Sequence, residues 1–563
     1  MSEALNSTRE PARPNLAAKI GWAVLIVATL YVCYFSHLGA IGFVGPDEPR
    51  YAWIARDMAE TGDWVTPRLY GKPWFEKPPL FYWGAALSFK LLGVSEAAAR
   101  LPSAVSALLA TLALAWLAWR MYGAETARWL LLLLPTTVGM IGFSHAAATD
   151  MPFSAMLTTA MVCAAVALRL VPKETSEAPK RNSAQASVES QDLPIPWLAL
   201  ILFGFFLGAA ALAKGPAGIV LCGGAVFFWA LFTKRWRDAF RLLHPAAIAA
   251  FCATALPWYA LCARRNPDFF RVFIIEHNFK RYLTPEFQHV QPFWFYGPIL
   301  FLGLLPWINI VFSLLRECVG SLVGGHWLQS ANLYFACCGL WPIVFFSFSK
   351  SKLPGYVLPS ILFLGLLGAR SATLRIRKGP GERWVAISTG VTLTLLGLFA
   401  FLQVEWVPFT WPALVLTVGG FAAIYLATSG GSSRAIIVGE TALIVAIYLG
   451  PVGEAGRALD SSVSARYAFQ TASLVWNDYS PENASTYKLQ RAFSYSLNFY
   501  FHRELPEWSP NNPWAGWIFT SSSKVHELRG LGLDCVYPSR VSAVIVCGGP
   551  HSTRGSSGGG EPN

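Results

Sequence analysis

The chain has 563 residues, of which 54% are hydrophobic and only 13% carry a charge, so it is too apolar for a soluble enzyme. Its formal net charge of +12 is compatible with nucleic-acid binding, but the basic residues lie in short loops between apolar runs. Anionic or phosphate-bearing lipids are therefore the expected partners, membrane lipids among them, and nucleic acid is not.

The apolar runs predict an all-α polytopic membrane protein. A span needs ~20 apolar residues, and about 13 runs approach that length. Residues 79–94 form a further run, which is short and interrupted by Lys90. Placing it at the interface as a helix brings the basic loops to one side, as the positive-inside rule requires. The spans are expected at 20–43, 97–119, 128–144, 152–171, 195–213, 217–233, 244–263, 294–315, 331–349, 355–370, 384–403, 408–428 and 434–452.

This topology divides the chain into a membrane part and smaller parts outside the membrane. Short apolar runs alternate with turn residues after the last span, which predicts a small mixed domain on the outer side. In chain order we expect a cytoplasmic tail (1–19), a transmembrane catalytic domain (20–452), an outer α/β domain (453–548) and a disordered Gly/Ser-rich tail (549–563). The first span of the transmembrane domain is expected to be a signal anchor, and its outer loops 44–96 and 264–293 are expected to build the site.

Most of the ten cysteines lie in or beside apolar spans and are expected to be inert small residues. Cys535 and Cys547 are different because they belong to the expected outer domain. If that domain faces an oxidising compartment, the two can form a disulfide.

The first outer loop carries a dense group of charges, beginning with Asp47, Glu48 and Arg50. The segment begins an amphipathic helix, with Tyr51 and Met58 among the residues of its apolar face. A helix N-cap would explain Asp47 alone. It would leave the other charges unexplained, and charges at a membrane boundary are costly unless they are paired or used. We therefore interpret this turn as part of a functional site.

Two further acidic positions belong to the same side. Glu76 and Lys77 precede a pair of prolines and three aromatic residues, a pattern that also fits an aromatic belt with a solvated ion pair. Asp150 follows the third span and is either a helix N-cap or a partner for Asp47 at similar depth. A carboxylate pair is thus a hypothesis that sequence alone leaves open.

The outer loops carry many cations, against the positive-inside rule, and phosphate groups are an obvious use for them. Lys280 and Arg281 suit a phosphate-binding loop. Lys350, Lys352 and Tyr356 form a second cationic turn, which can also be explained as ordinary charges at a helix end. Lys214-Gly215-Pro216 is interpreted mainly as a hairpin. A divalent metal such as Zn²⁺ would use Glu76 or Glu276 with His277 or His289, but no ligand spacing typical of metal sites supports it.

Taken in order, several motifs form a familiar set. They are P-D-E-P-R-Y, G-D-W-V-T-P-R-L, F-E-K-P-P-L-F-Y-W, T-D-M-P-F, K-G-P, the E-H…R-Y…H…P-F-W-F-Y loop and K-S-K-L-P-G-Y-V-L-P. Over roughly residues 20–370 the chain resembles the lipid A aminoarabinose transferases, which belong to the membrane glycosyltransferases of the protein-mannosyltransferase type with the GT-C architecture.

The resemblance implies inverting transfer from a polyprenyl-phosphate sugar at the outer, periplasmic face of the bacterial inner membrane. The implied donor is undecaprenyl phosphate–4-amino-4-deoxy-L-arabinose, the acceptor is a lipid A phosphate, and no cofactor is required. A metal near Glu76 and His277 is compatible with it but need not be catalytic. The expected catalytic residues are Asp47, Asp150 and Glu76, and the expected donor-phosphate ligands are Lys77, Arg281, Tyr356, Lys350, Lys352 and Arg50.

Two other functions remain as hypotheses. The same architecture can transfer another sugar to a hydroxyl of a protein or glycan, because the motifs indicate the reaction class better than the substrate. A lipid or sugar transporter should instead carry charges within its spans and show repeated halves. Here most charges lie at the outer boundary, which favours an enzyme.

Overall fold

A computed structural model describes residues 16–172, 195–280, 290–308, 330–378, 381–402, 410–450, 456, 459–476, 479–511, 516–539 and 542–548. The predicted disordered tail, most of the predicted cytoplasmic tail, Arg281 and His289 lie outside these residues. The described chain is a bundle of apolar helices followed by a small mixed α/β region.

The helices of the membrane part follow one another closely. They are α1 (Leu16–Phe35), α2 (Asp47–Thr61), α3 (Leu80–Leu92), α4 (Glu96–Tyr122), α5 (Ala124–Leu133), α6 (Val138–Ser144), α7 (Asp150–Ala167), α8 (Trp197–Lys214), α9 (Ala217–Thr233), α10 (Trp236–Phe240), α11 (Pro245–Arg265), α12 (Tyr296–Gly303), α13 (Ser330–Ser347), α14 (Leu358–Lys378), α15 (Gly381–Leu402), α16 (Thr410–Thr428) and α17 (Ser433–Leu449). A π-helical segment occupies Arg271–Lys280, and β1 (Arg68–Leu69) and β2 (Lys72–Pro73) form a hairpin between α2 and α3.

Eight of the described helices are long and apolar enough to cross a membrane, or nine if α5 and α6, bent by 65°, form one broken span. Four shorter apolar helices accompany them. Each predicted span falls on a helix in the described part of the chain, since hydropathy reports helix position directly. The chain is therefore a multi-pass membrane protein, while the count of about 13 crossings, which rests on a ~20-residue span length, stays a prediction.

The loop between α1 and α4 contains the predicted amphipathic helix, α2, and the predicted interfacial helix, α3. Helix α2 begins with Asp47 and Glu48, whose negative charges suit a helix N-terminus. It ends at Gly62, which adopts a left-handed conformation with φ of +74°. Its predicted apolar face is confirmed, because Tyr51, Ile54, Ala55 and Met58 are fully or almost fully buried. That face packs against α3 in a separate hydrophobic cluster.

The region after the last span forms a four-stranded sheet with helices beside it. The strand order is β3-β4-β6-β5; β3 and β4 are parallel, and the other two pairings are antiparallel. Cys535 and Cys547 lie opposite each other on the last pair and form a disulfide. The predicted α/β fold is thus confirmed. Its elements are α18 (Arg466–Val475), β3 (Ala484–Tyr487), α19 (Arg491–Phe501), β4 (Trp517–Ser521), α20 (Val525–Gly530), β5 (Asp534–Val536) and β6 (Val544–Gly548).

Candidate active site

Arg50 is the centre of a group of charges at the start of α2. Its Nη1 donates to Glu76 Oε2 at 3.1 Å, its Nη2 donates to Asp47 Oδ1, and its Nε donates to the carbonyl of Pro46 at 2.9 Å. Lys77 Nζ lies 3.7 Å from the other Glu76 oxygen. The structure thus brings four predicted residues together. We call Asp47, Arg50, Glu76 and Lys77 the Arg50 cluster.

Burial and neighbouring charges shift the pKa values of Arg50 and of the adjacent Tyr51. Burial disfavours the charged guanidinium of Arg50, but the carboxylates of Glu76 and Asp47 raise its pKa above the ordinary value. Arg50 therefore stays a cation. Tyr51 is buried beside the same carboxylates, and burial together with their negative charge raises its pKa well above normal, so it stays a neutral phenol. Asp47 differs from the others because its side chain is 47% exposed, which leaves a carboxylate open to a ligand.

Glu76 and His277 line one cavity of about 520 Å³, together with Trp74, Asp268 and Arg271. Carboxylate and imidazole are both zinc ligands, but a structural or catalytic zinc site takes three or four protein ligands. Within the described ranges no three His, Cys, Asp or Glu side chains form a group able to hold a metal. Glu276 is paired with Arg271 at 2.9 Å instead. The metal site remains a prediction.

Glu48, the neighbour of Asp47, faces the interior. Arg100 on α4 donates to both of its oxygens, at 3.0 and 2.8 Å, and both side chains are buried. Arg100 also donates to the carbonyls of Leu38, Ile41 and Gly42, which lie between α1 and α2. We call Glu48, Arg100 and these backbone partners the buried hub. It fixes the entry to α2 and therefore the position of Asp47.

The second acidic position belongs to a separate group. Asp150 begins α7 and pairs with Lys214 at the end of α8, with Lys214 Nζ 2.5 Å from Asp150 Oδ1. The same ammonium lies 4.8 Å from the ring centroid of Tyr356. Gly355 lies so close to the Asp150 carboxylate that a Cβ there would overlap it. We call Asp150, Lys214 and Tyr356 the Asp150 cluster.

Two sets of contacts join these clusters. Ala147, three residues before Asp150, donates its N–H to Glu48 Oε1 at 2.6 Å, so the buried hub anchors both aspartates. Phe75, next to Glu76, packs in one hydrophobic cluster with Leu212, two residues before Lys214. These anchors connect the two clusters, while Asp47 pairs with Arg50 and Asp150 with Lys214, so a carboxylate pair between the aspartates stays a prediction.

The remaining predicted phosphate ligands behave differently from one another. Lys352 is buried and donates to the carbonyls of Gln291 and Ser349 at 2.9 and 2.7 Å. Burial and the nearby charge of Lys350 lower the pKa of Lys352. Lys350 itself is exposed. Lys352 thus holds the turn before Tyr356, and a direct role for either lysine in phosphate binding stays a prediction.

Sequence reasoning missed two residues of the site and one neighbour. Arg100 looks like an isolated cation within an alanine-rich span, and Lys214 was interpreted as part of a hairpin. That hairpin exists, but Lys214 also pairs with Asp150. The cost of leaving a cation unpaired at a membrane boundary was the available signal for both. Tyr495 of α19, whose ring centroid lies 5.5 Å from the Arg50 guanidinium, carried no signal at all.

Together the clusters combine carboxylates with several cations and a phenol at one end of the bundle. Such a set can hold an anionic group through its cations, while a carboxylate stabilises positive charge or accepts a proton. Phosphoryl or glycosyl chemistry on an anionic lipid suits these groups.

Comparisons with known proteins find relatives of this chain. Residues 20–273 match the dolichyl-phosphate-mannose-protein mannosyltransferase family. The undecaprenyl phosphate-α-4-amino-4-deoxy-L-arabinose arabinosyl transferase of Pseudomonas aeruginosa is 30% identical over 420 residues, covering 72% of this chain and 71% of the relative. The corresponding protein of Edwardsiella ictaluri is 30% identical over 67% of this chain, which spans 63% of that relative's length.

Solved structures establish the fold. ArnT from Cupriavidus metallidurans bound to undecaprenyl phosphate superposes with a TM-score of 0.72 at 24% identity, covering 97% of this chain and all of ArnT. Its apo form gives a TM-score of 0.71 at 23% identity. From the extent of its similarity to the Pseudomonas relative, the chain belongs to the undecaprenyl phosphate-α-4-amino-4-deoxy-L-arabinose arabinosyl transferase family.

Proposed function

We propose that this chain transfers 4-amino-4-deoxy-L-arabinose from undecaprenyl phosphate to a phosphate of lipid A. The transfer takes place at the periplasmic face of the bacterial inner membrane, where the Arg50 and Asp150 clusters and the α/β region lie. The observation that carries the proposal is the half-exposed Asp47 carboxylate, held by Arg50 in a cluster that also contains Lys77, in a chain of this family. The name of the family supplies the donor, and the motif resemblance supplies lipid A phosphate as the acceptor.

In this reaction a phosphate oxygen of lipid A attacks the anomeric carbon of the sugar. The bond from that carbon to the prenyl phosphate breaks, and undecaprenyl phosphate leaves with the bonding electrons. Lys77, Lys214 and the Tyr356 hydroxyl stabilise the negative charge of the leaving phosphate. The acceptor oxygen is already ionised, so no proton has to be removed. Asp47 therefore positions the amino sugar and stabilises the oxocarbenium-like centre.

A second candidate keeps the chemistry but changes the acceptor to a hydroxyl of a protein or glycan. The match to the protein mannosyltransferase family model favours it. In that case the acceptor must lose a proton, and the exposed Asp47 carboxylate would serve as the general base. The two candidates therefore give Asp47 different tasks.

The test is expression of the wild type and of Asp47→Asn in a bacterium that makes the donor but lacks its own transferase. Lipid A is then extracted and weighed by mass spectrometry. The proposal expects the aminoarabinose mass increment with the wild type and none with the variant at equal protein level. A well-folded wild type that adds no increment would contradict it and favour the hydroxyl acceptor.

A further inference from the structure

Helix α19, in the α/β region, lies against α2, which begins the candidate active site. Residues spaced three or four apart on α19 form the contact face, as expected for one side of a helix. Asn498 Nδ2 donates to the Tyr70 hydroxyl at 2.9 Å, and the carbonyl of Phe499 accepts from Arg56 Nη1 at 3.4 Å. Just past the helix, His502 hydrogen-bonds Glu60 at 2.9 Å.

The first residue of this face reaches the Arg50 cluster. The ring centroids of Tyr495 and Trp74 each lie 5.5 Å from the Arg50 guanidinium carbon, and that of Tyr51 lies 5.8 Å away. The nitrogens of Arg50 already donate to Asp47, Glu76 and Pro46 in the plane of the guanidinium. Aromatic rings restrain such a group by packing on its flat faces, through cation–π attraction.

Other contacts dock the α/β region without Tyr495. Arg466 donates to the carbonyls of Gly39 and Ala40 at 2.9 and 2.8 Å. Asp460 accepts from the N–H of Gly42 at 2.7 Å, and the Tyr500 hydroxyl donates to Glu96 at 2.8 Å. Loss of the Tyr495 ring should therefore leave the helix in place.

We propose that α19 is a positioning element of the active site, and that the Tyr495 ring is the positioning residue through which it acts. The ring keeps the Arg50 guanidinium in the plane in which it bridges Asp47 and Glu76. This inference rests on the proposed function. It gives the α/β region a role in turnover, which is to hold the Arg50 guanidinium in place.

The test compares the purified wild type with Tyr495→Ala and Tyr495→Phe, measuring kcat and the KM for the undecaprenyl-linked donor. Tyr495→Ala should lower kcat about 10-fold with little change in KM, because an unrestrained Arg50 no longer holds the carboxylates ready. Tyr495→Phe keeps the ring but loses its hydrogen bond from Arg491, and it should stay within about 2-fold of wild type. Tyr537→Ala, at an exposed tyrosine of the same region, is the matched control and should be silent.

The outcomes separate the two proposals. An inactive, folded wild type would overturn the proposed function before any variant is tested. With an active wild type, normal kcat in Tyr495→Ala, equal losses in the Ala and Phe variants, or a change in KM alone would each overturn the role of the ring. If Tyr495→Ala fails to fold, Tyr495→Leu carries the same test. Unfolding of both, with Tyr495→Phe stable, would make the ring structural and would also overturn the proposal.

Discussion

Asp47 and Glu48 are neighbours in sequence, yet they belong to two regions with opposite physical characters. In the buried hub, both oxygens of Glu48 accept from Arg100, and one of them also accepts from the N–H of Ala147. In the Arg50 cluster, Asp47 pairs with one guanidinium nitrogen and remains 47% exposed. Burial, more than residue type, therefore distinguishes the two acids: the buried Glu48 stabilises the structure, and the half-exposed Asp47 is open to a ligand.

Removal of Arg100 from the buried hub should cause the largest loss of stability. Arg100→Met leaves the buried Glu48 without its cation, a change that typically costs about 3–5 kcal/mol. We expect a lower melting temperature in detergent and loss of transfer activity. Arg434→Met, at an exposed arginine paired with Glu125, is the matched control and should change stability by less than about 0.5 kcal/mol. Equal melting temperatures for the two variants would contradict the hub.

Asp47→Asn should lower transfer activity without lowering stability, in contrast to a change in the buried hub. The amide keeps the volume but removes the negative charge, so transfer should fall by at least about 100-fold, as for loss of a key electrostatic group. The melting temperature should stay near that of the wild type, because the side chain is half exposed. Transfer and melting are measured on the same preparation, and near-normal transfer would remove Asp47 from the mechanism.

Gly355→Ala tests the Asp150 cluster through sterics alone. A Cβ at Gly355 would overlap the Asp150 carboxylate and push it from Lys214. Misplacement of this kind should lower kcat about 10- to 100-fold. Gly142→Ala, where a Cβ meets nothing within 4 Å, is the matched control and should be silent. Full activity in Gly355→Ala would show that the Asp150 position does not matter.

Lys77→Ala should have the smallest effect, because other cations remain near the leaving phosphate. We expect weaker use of the donor, with the KM for the undecaprenyl-linked sugar raised about 10-fold, as for one lost charge-assisted contact. Steady-state kinetics with varied donor and fixed acceptor measure this. An unchanged dependence on donor would exclude Lys77 from phosphate binding.

Local sequence patterns predicted the helices and part of the site. Apolar runs place the spans, and the spacing of Tyr51, Ile54, Ala55 and Met58 predicts the buried face of α2. The Arg50 cluster was predictable because its members lie in one loop. The partners of Arg100, Lys214 and Tyr495 were not predictable, since each partner lies 50 or more positions away in the chain, as Glu48 lies 52 residues before Arg100. Hydropathy contains no information on such pairings.

The contact of α19 with α2 also has a consequence for biosynthesis. Arg56 and Phe499 are 443 residues apart in sequence. At a synthesis rate of roughly 5–20 residues per second, α2 leaves the ribosome tens of seconds before the helix that covers it. During that interval Arg56 and Glu60 of α2 lack their partners in the α/β region, and Arg50 lacks one of its three rings. The nascent protein therefore completes this end of the bundle only late in translation.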